Sequence, residues 1–263
     1  MVKRRTSFQI VRSVIFALVV REMKGRFGRM RMGAFWTLAE PLFLILTFAV
    51  LYSAVRGSTV MGIPFPVFLL AGMPPFFLFR NLALKLMESV DANRALFSYK
   101  QIKPLDTFVA RLVVEFSIYA IVYALLCFGF MLYGFDIGIA EPLEWMGIIC
   151  LGVCFGFGLG VLLAIFVHAL PELKIVVKLT FLPLYLISGV IFPPKHVPPE
   201  ILQYLLWNPF LHLMELIRGN VFNNYQMVDG ISARYVAEVA VVVLFAGIGL
   251  YRLRMRALMS LQG

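Results

Sequence analysis

Few side chains in this sequence are of the types that carry out catalysis or bind metals. The three histidines, His168, His196 and His212, are scattered over different loops, and no HExxH or GxSxG motif occurs. The three cysteines lie inside long apolar runs, where cysteine usually acts as a small hydrophobic residue. The 14 acidic residues are spread along the chain without clustering. We therefore predict no catalytic residue and no metal site.

Glycine patterns do not predict a nucleotide site either. A phosphate-binding loop of the form GxxxxGK[ST] needs a lysine followed by serine or threonine, and no lysine of this chain is followed by either. The run from Gly156 to Gly160 has Val161 where a dinucleotide fingerprint has its last glycine. Gly152, Gly156 and Gly160 instead share one helix face, which would let a second helix approach closely. We predict no cofactor bound by this chain.

The composition places the chain in a membrane. Hydrophobic residues make up 61% and charged residues 14% of the 263 residues, whereas a soluble domain is about half apolar and about a quarter charged. Six apolar segments have lengths near that of a helix that crosses a bilayer. They cover residues 35–55, 63–79 with an extension towards 87, 107–133, 146–168, 175–192 and 235–251. The predicted fold class is all-α, a polytopic membrane protein with six transmembrane helices in residues 35–263.

Residues 1–34 form a separate cytoplasmic segment in this prediction. Phe8, Ile15 and Leu18 fall at helical spacing, and basic residues occupy the other side. The uncharged run between Arg12 and Arg21 has only eight residues, far short of the roughly 20 that a spanning helix needs. We therefore predict an N-terminal amphipathic helix that lies in the membrane interface, with no cleavable signal peptide before it.

The distribution of basic residues orients the six predicted helices. With the N-terminus in the cytoplasm, the cytoplasmic segments hold all but four of the 24 lysines and arginines. The loop 134–146, on the opposite side, holds acidic residues and no basic one. This asymmetry follows the positive-inside rule, so both termini are predicted to be cytoplasmic. The same rule accounts for most of the net charge of +10, and we do not predict nucleic-acid binding.

A polar cytoplasmic segment, residues 88–104, follows the second predicted helix. It can form a short helix that ends at Pro104, and such a helix along the membrane surface could fit a groove on a cytosolic partner protein. An ordinary solvated loop is the alternative. The residues predicted to contact the partner are Asp91, Arg94, Leu96, Phe97, Tyr99, Lys100 and Gln101.

A second polar segment, residues 193–234, lies outside the cell interior between the fifth and sixth predicted helices. Asn208-Pro209 breaks the apolar run 201–217, so we predict a re-entrant or interfacial pair of short helices instead of a seventh span. We expect their polar residues to hold a turn that closes the external side. This predicted external gate comprises Pro193, Trp207, Asn208, Pro209, His212, Glu215 and Arg218.

Charged residues within the apolar segments are predicted to form ion pairs. Arg111 and Glu115 lie four residues apart on one helix face, as do Arg234 and Glu238. Glu40 lies at the start of the first span, where it either pairs with a nearby arginine or has a functional role. In the external gate, Glu215 and Arg218 are three residues apart and can also pair.

Several motifs resemble those of capsular-polysaccharide exporter permeases, the membrane subunits of type-two ATP-binding-cassette exporters. The resemblance covers nearly the whole chain, and its late motifs are the more specific ones. The matching stretches are RMRMGAFWTLAEP at 29–41, the loop 93–111, LPL at 182–184, SG at 188–189, FP at 192–193, VPP at 197–199, WNP at 207–209 and HLMELIR at 212–218.

The resemblance implies a larger complex in which this chain is not itself an enzyme. Two copies would form the pathway, and two copies of a cytosolic ATPase, which would bind ATP and Mg²⁺, would dock against residues 88–104. The substrate would be a lipid-linked capsular polysaccharide crossing the inner membrane, with periplasmic and outer-membrane export proteins beyond. Export of O-antigen, teichoic acid or another hydrophobic substrate is the alternative within the superfamily. A membrane-embedded lipid-modifying enzyme or a passive channel is the alternative outside it.

A last group of residues is predicted to contact substrate or membrane lipids. Basic residues near the cytoplasmic mouth, such as Arg21, Arg26, Arg29 and Arg31, could recruit an anionic lipid-linked glycan, although anchoring to lipid headgroups is the favoured interpretation. Aromatic rings of the external segment could stack on sugars, but an aromatic belt at the membrane interface is favoured. The predicted contact residues are Arg29, Arg31, Trp36, Glu40, Tyr185 and Tyr204.

Overall fold

The computed structural model describes residues 6–28, 33–56, 59–99 and 101–259, and most of these residues are helical. Sheet structure in these ranges is confined to an antiparallel hairpin of β1 (Thr59–Val60) and β2 (Ile63–Pro64). The helices are α1 (Ser7–Gly28), α2 (Gly33–Arg56), α3 (Phe65–Met87), α4 (Ser89–Asn93), a first 3₁₀-helix (Arg94–Ser98), α5 (Pro104–Leu132), α6 (Pro142–Ala169), α7 (Leu173–Ile187), a second 3₁₀-helix (Pro194–His196), α8 (Pro199–Leu205), α9 (Pro209–Val221) and α10 (Ala233–Met259). The predicted all-α class is confirmed.

Four of the described helices, α3, α5, α6 and α10, are long and apolar enough to cross a membrane. The other two predicted spans correspond to α2 and α7. In α2 the apolar stretch is Leu42–Tyr52, and α7 has 15 residues, fewer than the roughly 20 of a usual span. Six crossings therefore remain a prediction, although a helix lies at every predicted position.

The long helices alternate in direction, which gives the bundle two distinct ends. Glu40 near the start of α2 contacts Arg80 near the end of α3, while Tyr52 near the end of α2 stacks on Phe65 at the start of α3. We call the end that carries α1, α4 and the first 3₁₀-helix the α1 end. The opposite end, with the hairpin, α8 and α9, is the α9 end. The last turn of α10 packs at the α1 end, where Leu258 is buried.

Glycines on two faces of α6 allow close packing of three helices. Gly152 and Gly156 pack on Phe79 of α3, and a Cβ at Gly156 would lie 3.1 Å from the Phe79 carbonyl oxygen. On another face, a Cβ at Gly158 would lie 2.9 Å from the backbone nitrogen of Leu244 in α10. The predicted glycine face is therefore confirmed, and a larger side chain there would force these helices apart.

The N-terminal helix α1 packs along α5 at the α1 end of the bundle. Leu18 of this helix is buried, whereas Val11 and Phe16 stay exposed. The basic side of α1, predicted to face lipid headgroups, is partly turned to internal partners, because Arg21 donates to the side-chain oxygen of Asn93. The position of α1 in the membrane interface stays a prediction.

Candidate functional site

A buried arginine joins three helices at the α9 end. Arg218 of α9 has no exposed side-chain surface. It donates hydrogen bonds through Nη1 to the carbonyl oxygen of Gly189 at 2.5 Å and through Nη2 to that of Val190 at 2.6 Å, just beyond the end of α7. Its guanidinium carbon lies 3.7 Å from the centre of the Phe68 ring of α3. The carbonyls and the ring compensate a charge that would otherwise be costly to bury.

Glu215 supplies the opposite charge one turn earlier on α9. Its Oε1 lies 3.8 Å from Nη1 of Arg218, so the predicted pair is confirmed. The carboxylate also accepts a hydrogen bond from the Tyr225 hydroxyl at 2.5 Å and one from the backbone N–H of Val228 at 3.3 Å. Because both donors belong to the loop between α9 and α10, Glu215 fixes that loop against α9.

His212 holds the connections on both sides of α9. The backbone N–H of Ser232 donates to Nδ1 of the imidazole at 3.0 Å. A neutral ring then carries its proton on Nε2, which lies 2.8 Å from the carbonyl oxygen of Leu206 and donates to it. The ring centre lies 4.8 Å from that of Tyr235. The imidazole therefore bridges the α8–α9 junction and the approach to α10.

Asn208 and Pro209 start α9 and separate it from α8. The side-chain oxygen of Asn208 accepts a hydrogen bond from the backbone N–H of Phe210 at 3.0 Å, as an N-cap residue does. Its amide donates to the Ser188 hydroxyl at 2.9 Å, near the end of α7. Pro209 occupies the first helical position, where its missing N–H costs nothing. The predicted pair of short helices is confirmed, while their re-entrant depth in a membrane stays a prediction.

The structure brings most of the predicted external gate together and adds a residue that sequence reasoning missed. Pro193 is buried, but Trp207 is 81% exposed. Only the backbone carbonyl of Trp207, which accepts a hydrogen bond from the Tyr235 hydroxyl, joins the cluster. Gly72 of α3 is the missed residue, since a Cβ there would lie 2.5 Å from Nη2 of Arg218. A lone glycine in an apolar helix was the only signal for it.

At the α1 end, the predicted partner-contact residues separate into exposed and buried ones. The exposed ones are Asp91, Tyr99 and Gln101, and the half-buried ones are Arg94 and Leu96. Lys100 lies outside the described residues. Phe97 is 5% exposed and packs in the core at this end. Its ring therefore holds the segment against the bundle and does not face a partner.

A groove of about 660 Å³ separates α1 from the first 3₁₀-helix. Its walls are largely apolar and include exposed residues of the predicted contact segment. Among its lining residues are Ile10, Val14, Leu18, Leu96, Tyr99 and Gln101. A groove of this kind suits the apolar face of a partner's helix.

Two ion pairs connect α1 to α5. Glu115, which is 1% exposed, pairs with Arg26, and the Nε of Arg111 lies 3.4 Å from Oε1 of Glu22. The pair predicted within α5, Arg111 with Glu115, is therefore wrong in its partners. Because α1 packs on α5, Glu115 and Arg111 each lie closer to an opposite charge of α1 than to each other.

Glu88 connects the α3–α4 junction to α7. Its Oε1 lies 2.7 Å from Nζ of Lys178 and 3.3 Å from Nζ of Lys174. Burial by itself raises the pKa of Glu88, but hydrogen bonds and the charges of both lysines bring this pKa below its usual value. The start of α7 is thus tied beside the contact segment, just as its far end is tied to Arg218.

Of the residues predicted to contact substrate or lipid, some are exposed, one forms an ion pair and one is buried in the core. Trp36 and Tyr204 are exposed, Glu40 pairs with Arg80 at 3.4 Å, and Arg29 and Arg31 lie outside the described residues. Tyr185 is 7% exposed and stacks on Phe77 with ring centres 5.8 Å apart, so it faces the core. Of the ion pairs predicted elsewhere, Arg234 and Glu238 are confirmed at 2.8 Å.

These features define a multi-pass helical membrane protein with a cluster of hydrogen-bonded and ion-paired side chains at each end of its bundle. The sequence model of the ABC-2 type transporter family matches residues 13–222, and the chain belongs to that family. It is 34% identical over 256 residues to the polysialic acid transport protein KpsM of Escherichia coli, covering 97% of this chain and 99% of the relative.

Two further relatives carry related names. The capsule polysaccharide export inner-membrane protein CtrC of Neisseria meningitidis is 29% identical over 83% of this chain and 82% of its own length. The protein of the same description from Haemophilus influenzae, BexB, is 28% identical over 91% of both chains.

Proposed function

We propose that this chain is the membrane subunit of an exporter that moves lipid-linked capsular polysaccharide across the inner membrane. The observation that carries the proposal is the full-length similarity to proteins named for the transport or export of such polymers, 97% of this chain against 99% of KpsM. The match therefore includes both polar segments, 88–104 and 193–234, as well as the apolar helices. The transported polymer of this chain is thus placed in the class of capsular polysaccharides.

Energy for export comes from a separate ATPase in this proposal. The sequence has no phosphate-binding loop, so ATP and Mg²⁺ bind to the partner. The groove between α1 and the first 3₁₀-helix supports docking at this point, since Tyr99 is 64% exposed at its edge. Two ATPase copies then dock on two copies of this chain, from the cytoplasmic side.

A second copy of the chain completes the pathway. The helix α7 buries only Phe181 and Tyr185 of its own residues and leaves a continuous apolar face uncovered. Ile175, Val176, Leu179, Leu182 and Leu186 form that face. We place the pathway between the two copies along this face, with six crossings per copy and all four termini in the cytoplasm. Periplasmic and outer-membrane export proteins receive the polymer.

The helix α7 transmits movement from the docking groove to the external gate. At one end Lys174 and Lys178 hold it to Glu88, next to the docking segment. At the other end the carbonyls that follow α7 are bound by Arg218 of the gate. Because α7 has few other buried contacts, a shift of the docking segment moves it as a rigid element. Closing of the ATPase dimer would in this way open the external side.

Two exposed tyrosines at opposite ends of the bundle provide a matched test. Tyr99→Asp changes the docking groove, whereas Tyr133→Asp changes a residue that is 87% exposed near the α9 end. We expect an affinity-tagged chain carrying Tyr99→Asp to lose its co-purifying ATPase and its surface polysaccharide, and the Tyr133→Asp chain to keep both. Normal ATPase recovery with Tyr99→Asp would show that docking occurs elsewhere. Phe97→Arg is unsuitable here because Phe97 is part of the core.

The role of the external gate is tested by export alone. Glu215→Ala removes the acceptor of Tyr225 and Val228 while leaving the docking groove untouched. We expect this variant to bind the ATPase normally and to display no surface polysaccharide. Wild-type amounts of polysaccharide on the Glu215→Ala cells would contradict a gating role for this cluster.

A further inference from the structure

A second cavity at the α1 end is lined mainly by charged side chains. It measures about 460 Å³ and lies between α1, α5 and the α3–α4 junction. Four cations line it together with two carboxylates, and a glycine and an alanine leave the remaining wall open. The charged residues are Arg21, Arg26, Lys85, Arg111, Glu22 and Glu88.

The carboxylates of this cavity are already neutralised by other partners. Glu22 faces Arg111, and Glu88 is bound by the two lysines of α7, Lys174 and Lys178, outside the cavity. Arg26 is paired with Glu115 behind it. Counting the lining residues with these direct partners gives six cations and three carboxylates. The network therefore carries a surplus of three positive charges.

Two of the cations have no carboxylate partner among the described residues. Arg21 donates to the neutral side-chain amide oxygen of Asn93, and Lys85 is exposed at the cavity wall. Arg111 is 6% exposed, and its Nη1 donates to the backbone carbonyl of Lys85. Its Nε faces Glu22 at 3.4 Å without a hydrogen bond. A cavity with this surplus of positive charge, in which Arg21 and Lys85 are paired with no described carboxylate, favours an anion.

We propose that this cavity binds the phosphate of an anionic lipid headgroup. Guanidinium groups bind phosphate oxygens through paired N–H donors, and lysine adds a point charge. The site rests on the proposed function in one respect, since α1 must lie at the cytoplasmic membrane surface to bring headgroups to this level. Either a membrane phospholipid or the phosphorylated lipid anchor of the polysaccharide supplies that phosphate.

Lys85→Gln is the variant that tests the site, because it removes one exposed cation without entering the core. Lys103→Gln is its control, an exposed lysine of the same end outside the cavity. Binding is measured by thermophoresis of the purified complex with its ATPase in non-ionic detergent. The probes are dihexanoyl phosphatidylglycerol and dihexanoyl phosphatidylcholine, which share chains and phosphate but differ in net charge.

We expect phosphatidylglycerol to bind more tightly than phosphatidylcholine to the wild-type complex. Lys85→Gln should weaken phosphatidylglycerol binding by about five- to tenfold, less than the loss of a buried charge-assisted contact because Lys85 is exposed, and Lys103→Gln by less than about twofold. Equal affinity for the two lipids, or equal effects of the two substitutions, would overturn the proposal. So would loss of the ATPase with Lys85→Gln and unchanged lipid binding, since the cavity would then receive an acidic side chain of the ATPase.

Surface polysaccharide measured in the same strains identifies the source of the phosphate. A fall in export with Lys85→Gln, together with weakened lipid binding, assigns the site to the lipid anchor of the substrate. Weakened lipid binding with normal export assigns it to a membrane phospholipid. Export and ATPase recovery by the wild-type strain report on the proposed function separately, so its failure is not confused with failure of the lipid site.

Discussion

Replacing Gly72 with alanine should loosen the α9 end of the bundle, although alanine is the better helix former. A Cβ at Gly72 would lie 2.5 Å from Nη2 and 3.2 Å from Cζ of Arg218. The guanidinium group must therefore move away from α3. It cannot do so without lengthening its hydrogen bonds to the carbonyl oxygens of Gly189 and Val190, now 2.5 and 2.6 Å long.

The expected cost follows from these two hydrogen bonds. A hydrogen bond from a charged group contributes about 1.5–3 kcal/mol, so the loss of both amounts to about 3–6 kcal/mol. Alanine regains about 1 kcal/mol over glycine within a helix. The net effect of Gly72→Ala is a destabilisation of about 2–5 kcal/mol, which lowers the melting temperature by at least about 4 °C in a chain of this size.

Thermal melting in detergent, followed by tryptophan fluorescence, measures this effect. Gly129→Ala is the control, because a Cβ at Gly129 would have no atom within 4 Å, and its melting temperature should stay the same or rise. In an Arg218→Met background, Gly72→Ala should cost nothing further, since the atoms it would displace are gone. If Gly72→Ala and Gly129→Ala proteins melt alike, Arg218 is not held between α3 and the end of α7.

Three further predictions concern the α1 end. Phe97→Ala should lower the free energy of unfolding by about 3–5 kcal/mol through a core cavity, and Tyr99→Ala by less than about 0.5 kcal/mol, as measured by the same melting assay. Because the folded-state pKa of Glu88 is below its usual 4.5, its carboxylate stabilises the fold above that pH and stops doing so as the pH falls through the lowered value. The melting difference between wild type and Glu88→Gln should therefore be constant near neutral pH and disappear in strong acid. Glu115→Gln should raise hydrogen exchange along α1, because the helix loses a buried ion pair, whereas Glu238→Gln, which removes an exposed pair, should leave exchange in α10 unchanged.

Local patterns predicted most of the helices, since they depend on neighbours in the chain. The break at Asn208-Pro209 is confirmed because proline cannot continue a helix that precedes it, while asparagine caps the one that follows. The close approach to the face of Gly152 and Gly156 is confirmed because residues four apart share a helix face. Predicted boundaries differ from the observed ones by a few residues at most helix ends, where polar residues continue the helix beyond its apolar part.

The candidate sites were predictable only in part. Glu215 and Arg218 pair as their spacing predicts, because both lie on α9. The anchoring of Arg218 to carbonyls near the end of α7 was not predictable, since backbone acceptors have no signature in sequence. In the docking segment, the hydrophobic residues Phe97 and Leu96 look alike as docking residues in sequence, and only packing shows that Phe97 is the buried one.

The amino-acid sequence by itself determined that this protein lies in a membrane, that it is helical and where its helices break. Apolar content and the spacing of glycine and proline act over one or two helical turns, so a short window of sequence contains the whole cause. The tertiary structure decided which charges meet. Arg26 and Glu115 are 89 residues apart in the chain, and Gly189 and Arg218 are 29 apart. Such contacts depend on the distance between packed helices, which is set by all the side chains between them.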